Sequence, residues 1–320
     1  MSRSRCRSRK RKRKRDTREF ELAVPPVSEV KPSGLVVGCG YLGQRVARAW
    51  RDLGWTVAAL TRSDKRAAEF SGQGLAPVLG DVTHPDSLAA LPKSDVVLFA
   101  VGRDRERTSQ SMREVSLDGL ENVLDVLGET TKRFIFISST GVYAQSDGDW
   151  VNEDSPAQPT RENGRVLVEA EALVRSRLGK RGCVLRLAGL YGPGRLISRR
   201  ETLMSSTPLG GRPDAWLNLV HVDDAARAVV TASTIEADYT ENGMWLICDD
   251  RPVRREEFFG RLAELFGAPP PTFDAARGGS RIDGLGKRCR NARLKKDLGL
   301  ELLYPDFETG LPAAIGDQLG

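Results

Sequence analysis

Apolar residues along this chain fall into two periods. Short unbroken runs, Leu35-Val36-Val37, Val96-Val97-Leu98-Phe99-Ala100-Val101 and Phe134-Ile135-Phe136-Ile137, carry no polar alternation, as in strands covered on both faces. Between them, apolar positions recur every three or four residues, the spacing of one helix face. The pattern predicts strands at 34–38, 56–61, 76–79, 95–101, 132–138 and 183–187. Helices are predicted at 41–53, 64–70, 85–91, 106–127 and 162–178. Such alternation predicts an α/β fold on a doubly wound parallel sheet, a Rossmann fold. Further on, 246–250 reads as a short strand. Residues 254–266 read as a helix with Phe258, Phe259, Leu262, Leu265 and Phe266 on one face, stopped by Pro269-Pro270-Pro271.

The first strand runs into Gly38-Cys39-Gly40-Tyr41-Leu42-Gly43 and then into a helical pattern. In that setting a G-x-G-x-x-G predicts a dinucleotide phosphate site. Gly38 permits the tight turn, Gly40 lets the backbone approach a pyrophosphate, and Gly43 lets the helix pack close to the strand. Ligands of such sheets lie across the carboxyl ends of the strands. The predicted cofactor residues are therefore Gly38, Gly40, Tyr41, Leu42 and Gly43 on the loop, with Thr61 and Arg62 after the second strand. Asp81 and Val82 follow the third strand and Ala100, Val101 and Gly102 the fourth, with Asp81 a partner for the adenine amino group. The second strand ends in Leu60-Thr61-Arg62-Ser63 without the acid that usually takes the ribose 2′-OH of NAD. Arg62 offers a guanidinium to a 2′-phosphate instead, which predicts NADP rather than NAD.

Charge and composition narrow the function. Of the formal +6 on 320 residues, Met1–Glu19 carries eleven Arg or Lys against Asp16 and Glu19, so the remainder carries −3. That excludes a fold with a generally basic face for nucleic acid. The tail has no apolar periodicity and is expected to be disordered. Its Lys10–Arg15 run suits nuclear import or a polyanion, an Arg- and Ser-rich leader would point to an organelle, and a solvated extension is the plain alternative. Residues 23–32 read as a linker, with the fold beginning near Gly34. Cys6, Cys39, Cys183, Cys248 and Cys289 show no metal spacing, and His84 and His221 are the only histidines. This reads as a reduced, metal-free, soluble intracellular protein, cytoplasmic by default, with no run long enough to span a membrane.

At the fifth strand, Phe136-Ile137-Ser138-Ser139-Thr140-Gly141-Val142-Tyr143 resembles the catalytic-serine strand of extended short-chain dehydrogenases/reductases, the NAD-dependent epimerase/dehydratase superfamily. Val151-Asn152-Glu153-Asp154-Ser155-Pro156, Leu185-Arg186-Leu187-Ala188-Gly189-Leu190-Tyr191-Gly192-Pro193-Gly194 and Asn218-Leu219-Val220-His221-Val222-Asp223-Asp224 follow in that superfamily's order, as do Asn291-Ala292-Arg293-Leu294 and Gly310-Leu311. With the glycine loop, the pattern is most similar to the atypical branch that includes the bacterial YeeZ-type proteins. The resemblance spans about residues 34 to 315 and implies that 34–190, completed by 214–236, is the NAD(P)-binding domain. Residues 191–213 and 237–320 would form a smaller substrate lobe. It also implies that Ser139, with Thr140 beside it, hydrogen-bonds the reacting oxygen, while Arg186 and His221 are structural.

The chain departs from the family at the general acid/base. Tyr-x-x-x-Lys occurs nowhere. On the helix after the catalytic strand, Arg161 stands at the tyrosine position and Arg165 at the lysine position. A guanidinium does not cycle a proton near neutral pH, although Arg165 can bind ribose or phosphate, and both arginines suit a solvated helix face equally. Two readings stay open. One is an oxidoreductase or nucleotide-sugar epimerase/dehydratase with an atypical site, the other a non-catalytic NADP(H)-binding regulator. The run Lys287-Arg288-Cys289-Arg290 is a candidate holder of an anionic substrate such as a nucleotide sugar, or else a solvated charge run. Nucleic acid enters only through the basic tail.

Overall fold

The computed structural model describes residues 31–102, 110–235, 243–277 and 284–316. The expected tail and most of the linker, the start of the helix expected at 106, and residues 237–242 and 317–320 lie outside the described residues.

The chain opens with β1 (Ser33–Val37), α1 (Gly43–Asp52), β2 (Thr56–Thr61), α2 (Asp64–Gly72) and β3 (Ala76–Leu79). β4 (Val96–Phe99), α3 (Gly119–Leu127), β5 (Arg133–Ser139), β6 (Asp147–Val151), α4 (Glu162–Leu178) and β7 (Gly182–Leu187) follow. Next come β8 (Gly189–Tyr191), α5 (Ile197–Met204), β9 (Leu209–Gly210), β10 (Trp216–Leu217), β11 (Leu219–His221), α6 (Val222–Thr234) and β12 (Met244–Ile247). The chain closes with β13 (Val253–Arg254), α7 (Arg255–Phe266), β14 (Phe273–Asp274), β15 (Gly286–Cys289), α8 (Ala292–Leu298) and α9 (Phe307–Ile315).

Seven parallel strands form the main sheet in the order β12-β7-β5-β4-β1-β2-β3. This is the doubly wound fold expected from the buried runs. The chain crosses back from β3 to β4 beside β1, so the strand order reverses there and a crevice opens at the carboxyl ends of β1 and β4. Leu35, Val36, Val37, Val97 and Leu98 are fully buried between the helical layers. Trp50 of α1 stacks on Trp55 at 5.3 Å and donates from Nε1 to Ser233 Oγ of α6 at 3.1 Å, which fixes one helical layer.

Three expectations are corrected. The helix expected at 85–91 is a single 3-10 turn, Pro85–Leu88, because Leu91 precedes Pro92 and is disfavoured in helical geometry. The helix expected over 106–127 contains a wide π turn, Glu114–Asp118, ahead of α3. That turn sets Gly119 against Val82, whose Cγ2 would lie 2.7 Å from any Cβ there. Last, the strand expected at 246–250 in the smaller lobe is β12, which pairs parallel with β7 in the main sheet. Its Met-Trp-Leu-Ile run is buried on both faces, the same signature as the other central strands.

A second core lies beside the first. It is built by Tyr191, Leu196 and Leu203, by Phe258, Phe259 and Leu262 of α7, and by Phe307 and Leu311 of α9. The sequence pattern had not predicted β6 or β15, which pair parallel with Arg288 opposite Trp150 and Cys289 opposite Val151. Strand alternation sorts this pair: Val151 and Cys289 are buried, while Arg288 lies over Trp150 at 4.8 Å and near Trp216 at 5.2 Å. Arg290 adds to Trp150 at 5.1 Å and Arg254 to Trp216 at 3.8 Å, completing a cation–π stack along this edge. No helix among the described residues is long and apolar enough to cross a membrane.

Candidate active site

The crevice at the carboxyl ends of β1 to β4 is a cleft of about 420 Å³. Its floor is the glycine turn. Gly38 has φ +94°, and a Cβ on it would meet Ala100 C at 2.5 Å and Val101 N at 2.6 Å, so the turn and the end of β4 approach as only glycine allows. A Cβ on Gly40 would meet nothing within 4 Å, which leaves open space above the backbone on the cleft side. At Gly43 a Cβ would come within 2.5 Å of Gly38 O, so this glycine sets the distance between α1 and the turn. The first turn of α1 carries no acid, as suits an anion at a helix N-terminus, while Gln44 N already donates to Gly40 O at 3.0 Å and Arg45 N to Leu42 O at 3.0 Å. The residues present therefore suit a dinucleotide pyrophosphate.

Thr61, Arg62, Asp81, Val82, Ala100, Val101 and Gly102 line the same cleft. Tyr41 and Leu42 do not. Leu42 turns into the main core, and the Tyr41 ring lies between Arg45 at 4.4 Å and Arg195 at 4.9 Å. Asp81 accepts from Thr83 N at 2.9 Å and Thr83 Oγ1 at 2.8 Å, and Arg62 Nη1 lies 3.4 Å from its second oxygen. Although burial opposes it, these hydrogen bonds and the Arg62 charge hold the Asp81 carboxyl below its ordinary range.

A second arginine at this end was missed in the sequence. Arg66 lines the cleft, donates from Nη2 to Cys39 O at 2.9 Å and lies over the Phe70 ring at 5.2 Å. Its position one turn after Arg62, in a helix capped by Ser63 Oγ accepting from Arg66 N, was the available signal.

Ser139 ends β5, and its Oγ accepts from Gly141 N at 3.1 Å. Both Ser139 and Thr140 are half-buried. Tyr143, the one tyrosine in that motif, turns inward: it donates to Asn152 O at 2.8 Å and accepts from Arg186 Nη1 at 2.9 Å. Burial pushes its phenol up to about 12, so it is a neutral structural donor. Arg186 is structural, as expected, through a partner the sequence did not reveal. It grips Glu171 of α4 with Nε to Oε1 at 2.9 Å and Nη2 to Oε2 at 2.6 Å, and Ser138 Oγ donates to Glu171 Oε1 at 2.6 Å. This network pins α4 to β5 and β7 behind the Ser139 turn.

Arg161 is the residue before α4, in extended backbone, rather than on the helix. Arg165 lies in the first turn, exposed, with Nη2 donating to Thr160 O at 2.9 Å. The two share the end of α4 that abuts the Ser139 turn, since a Cβ on Gly164 would be 2.7 Å from Gly141 O. His221 is buried between Tyr191 at 5.2 Å and Tyr304 at 4.0 Å, and its Nδ1 accepts from Asp223 N at 3.3 Å. Its Nε2 has no partner among the described residues, so the histidine is structural but only half satisfied. Loss of solvent holds it below its ordinary pKa.

A doubly wound sheet whose glycine turn faces an open cleft defines a nucleotide-binding Rossmann protein. The sequence profile of the NAD dependent epimerase/dehydratase family matches residues 35–248, and the chain belongs to that family. Protein YeeZ of Escherichia coli K12 is 32% identical over 280 residues, covering 85% of this chain and 96% of YeeZ. A provisionally assigned NAD-dependent epimerase/dehydratase from Methylobacillus flagellatus superposes with a TM-score of 0.74 at 28% identity, covering 91% of this chain and 100% of that one. The UDP-glucose 4-epimerase of Thermotoga maritima, solved with UDP-glucose, shares the fold with a TM-score of 0.74 at 18% identity, covering 90% and 100%.

Proposed function

We propose that this protein binds NADPH in the cleft and presents its nicotinamide end to an anionic small molecule, such as a nucleotide sugar, at the Ser139 turn. The observation that carries the cofactor choice is the pair Arg62 and Arg66 at the end of β2, where an NAD site keeps a carboxylate. Two guanidiniums on one rim suit a 2′-phosphate better than a ribose hydroxyl. NADPH supplies hydride chemistry when bound. The chain's own part is to hold the pyrophosphate on Gly38 and Gly40 and to offer the Ser139 hydroxyl to a substrate oxygen.

Fluorescence titration tests the cofactor assignment. The unmutated protein is expected to bind NADPH more tightly than NADH, and Arg62→Ala to cost NADPH about 1–3 kcal/mol, a charge-assisted contact, with little effect on NADH. Equal affinities for the two nucleotides in the unmutated protein would overturn it.

A second reading, an NADP(H)-binding regulator without turnover, draws support from the hydroxyl inventory. Arg161 stands at the tyrosine position, and the phenol of Tyr143 is buried in the Glu171 network. Steady-state NADPH oxidation across a panel of carbonyl substrates separates the two.

A further inference from the structure

Tyr41 links the glycine turn to the turn that follows β8. Its backbone belongs to the first, where the amides of Tyr41 and Leu42 donate to no carbonyl among the described residues. Its ring reaches the second, where Arg195 lies over it at 4.9 Å. Arg45 lies over the same ring at 4.4 Å, donates from Nη1 to Tyr41 O at 2.8 Å, and pairs through Nε with Asp223 Oδ1 of α6 at 2.9 Å. The ring is therefore held by α1 and by the turn after β8 together.

At its far end the ring meets His221, which ends β11 opposite Tyr191 of β8. A Cβ on Gly192 would lie 2.8 Å from Tyr41 Oη and 3.3 Å from His221 Nε2, so both atoms crowd one point, kept clear by a glycine at φ +142°. Both atoms are buried, and neither has a hydrogen-bond partner among the described residues. Their chemistry is complementary. His221 Nδ1 accepts from Asp223 N at 3.3 Å, so the neutral imidazole carries its proton on Nε2. Loss of solvent favours that neutral ring against the pull of Asp223 and Asp224. Nε2 is thus a donor, and the phenol oxygen beside it can accept. Leaving the two unpaired in the interior costs the fold free energy that joining them returns.

We propose that His221 Nε2–H donates to Tyr41 Oη when a dinucleotide seats on the glycine turn, which makes Tyr41 a positioning residue for the phosphate site. A phosphate on the Tyr41 amide fixes this residue from the cleft side. His221 then fixes its ring from the other. Occupancy of the cleft is thereby passed to residues 192–195, from which the chain enters the second core at Leu196 and Leu203. This rests on the reading of the cleft as a dinucleotide site and deepens it.

The chain has two histidines, His84 and His221, so nuclear magnetic resonance of the isotope-labelled full chain resolves their ring nitrogens, with His84→Gln assigning the pair. Spectra are recorded free and saturated with NADPH. His221 is expected as the Nε2–H tautomer, with its proton moving downfield on saturation as the hydrogen bond forms. Tyr41→Phe keeps the ring under both arginines; it is expected to abolish that movement and to weaken NADPH about three- to tenfold, the scale of one neutral hydrogen bond. In a His221→Leu background the same substitution should cost nothing further, whereas His221→Gln, whose amide can donate in place of the imidazole, should keep NADPH within about threefold of the unmutated protein. An Nε2 proton that does not move in the unmutated protein, or NADPH affinity that Tyr41→Phe leaves intact, overturns this inference while the cofactor assignment stands. Failure of NADPH to bind the unmutated protein overturns both.

Discussion

Glu171 and Arg186 meet in the interior as a two-pronged pair, with the carboxylate fully buried and the guanidinium nearly so. Burial works against the Arg186 charge, but Glu171 outweighs it and holds the guanidinium above its ordinary pKa. The pair also satisfies Ser138 and Tyr143, so each charge has both a counter-ion and hydrogen bonds. Replacing a buried pair with apolar residues is often neutral, but removing one partner strands the other. Glu171→Leu alone is expected to cost about 3–5 kcal/mol. The double variant Glu171→Leu with Arg186→Met should recover much of that loss. Urea unfolding of the three proteins checks this, and a double variant no more stable than the single would show that the network's hydrogen bonds, not its charges, hold α4.

The glycine turn makes a sharper claim on the backbone. Gly38→Ala must adopt φ near +94° while its Cβ meets the Ala100 carbonyl carbon at 2.5 Å, so the turn or the end of β4 has to move. Both line the cleft. The expected outcome is a loss of about 1–3 kcal/mol in stability from the backbone alone, with NADPH affinity falling further because the cradle is displaced. Gly40→Ala meets no protein atom within 4 Å, so it should leave stability nearly unchanged and weaken only the nucleotide. Thermal unfolding and nucleotide titration of the two variants separate these effects.

This contrast also shows where the sequence was legible. The sheet was readable because its central strands are buried on both faces and so appear as unbroken apolar runs, β12 included, although resemblance alone assigned that stretch to the smaller lobe. The glycine turn was readable because Gly38 and Gly43 answer local steric needs and Gly40 leaves the cleft side of the backbone open. What stayed hidden depends on partners far apart in the chain. Nothing near Glu171 marks it as a buried counter-ion, since Arg186 reaches it from the adjacent strand. The β6–β15 pair joins residues more than 130 apart, and the run at 287–290 could not be divided into inward and outward residues until that strand was known. Arg66 was hidden for a simpler reason: an arginine in a first helical turn reads as solvated until the cleft beside it is seen.

Acid stability should report the pair formed by Asp95 and Lys132, Nζ to Oδ1 at 2.7 Å. Lys132, with help from Ser33 N and Oγ and against partial burial, holds the Asp95 carboxyl at about 2, against an ordinary 3.8. The folded value lies below the unfolded one, so the contribution is fully present above pH 3.8 and fades as pH falls toward 2, where the folded state also takes the proton. Asp95→Asn is therefore expected to be less stable than the unmutated protein at pH 6. The gap should narrow between pH 4 and 2. Urea midpoints for the two proteins across that range check it, and a gap that stays constant down to pH 2 would place the stabilisation in the Ser33 hydrogen bonds alone.

The last prediction concerns the missing proton carrier. Arg161 stands immediately before α4 and Arg165 one turn on, beside the Ser139 turn, so both positions are exposed and their replacement threatens no core contact. General acid/base catalysis typically contributes about 10² to 10⁴ in rate. A guanidinium, protonated throughout the working range, contributes none of it. The unmutated protein is therefore expected to bind NADPH firmly and to oxidise it slowly or not at all with ordinary carbonyl substrates. The double variant Arg161→Tyr with Arg165→Lys should raise that rate by at least about tenfold, a fraction of the general-acid contribution because the extended backbone at 161 places a tyrosine differently from one inside a helix. Ser139→Ala added to the double variant should remove the gain, because the hydroxyl that orients the reacting oxygen is then absent. Stopped-flow and steady-state NADPH oxidation on the three proteins measure this. Rapid turnover by the unmutated protein that survives Ser139→Ala would move the chemistry away from the β5 turn altogether.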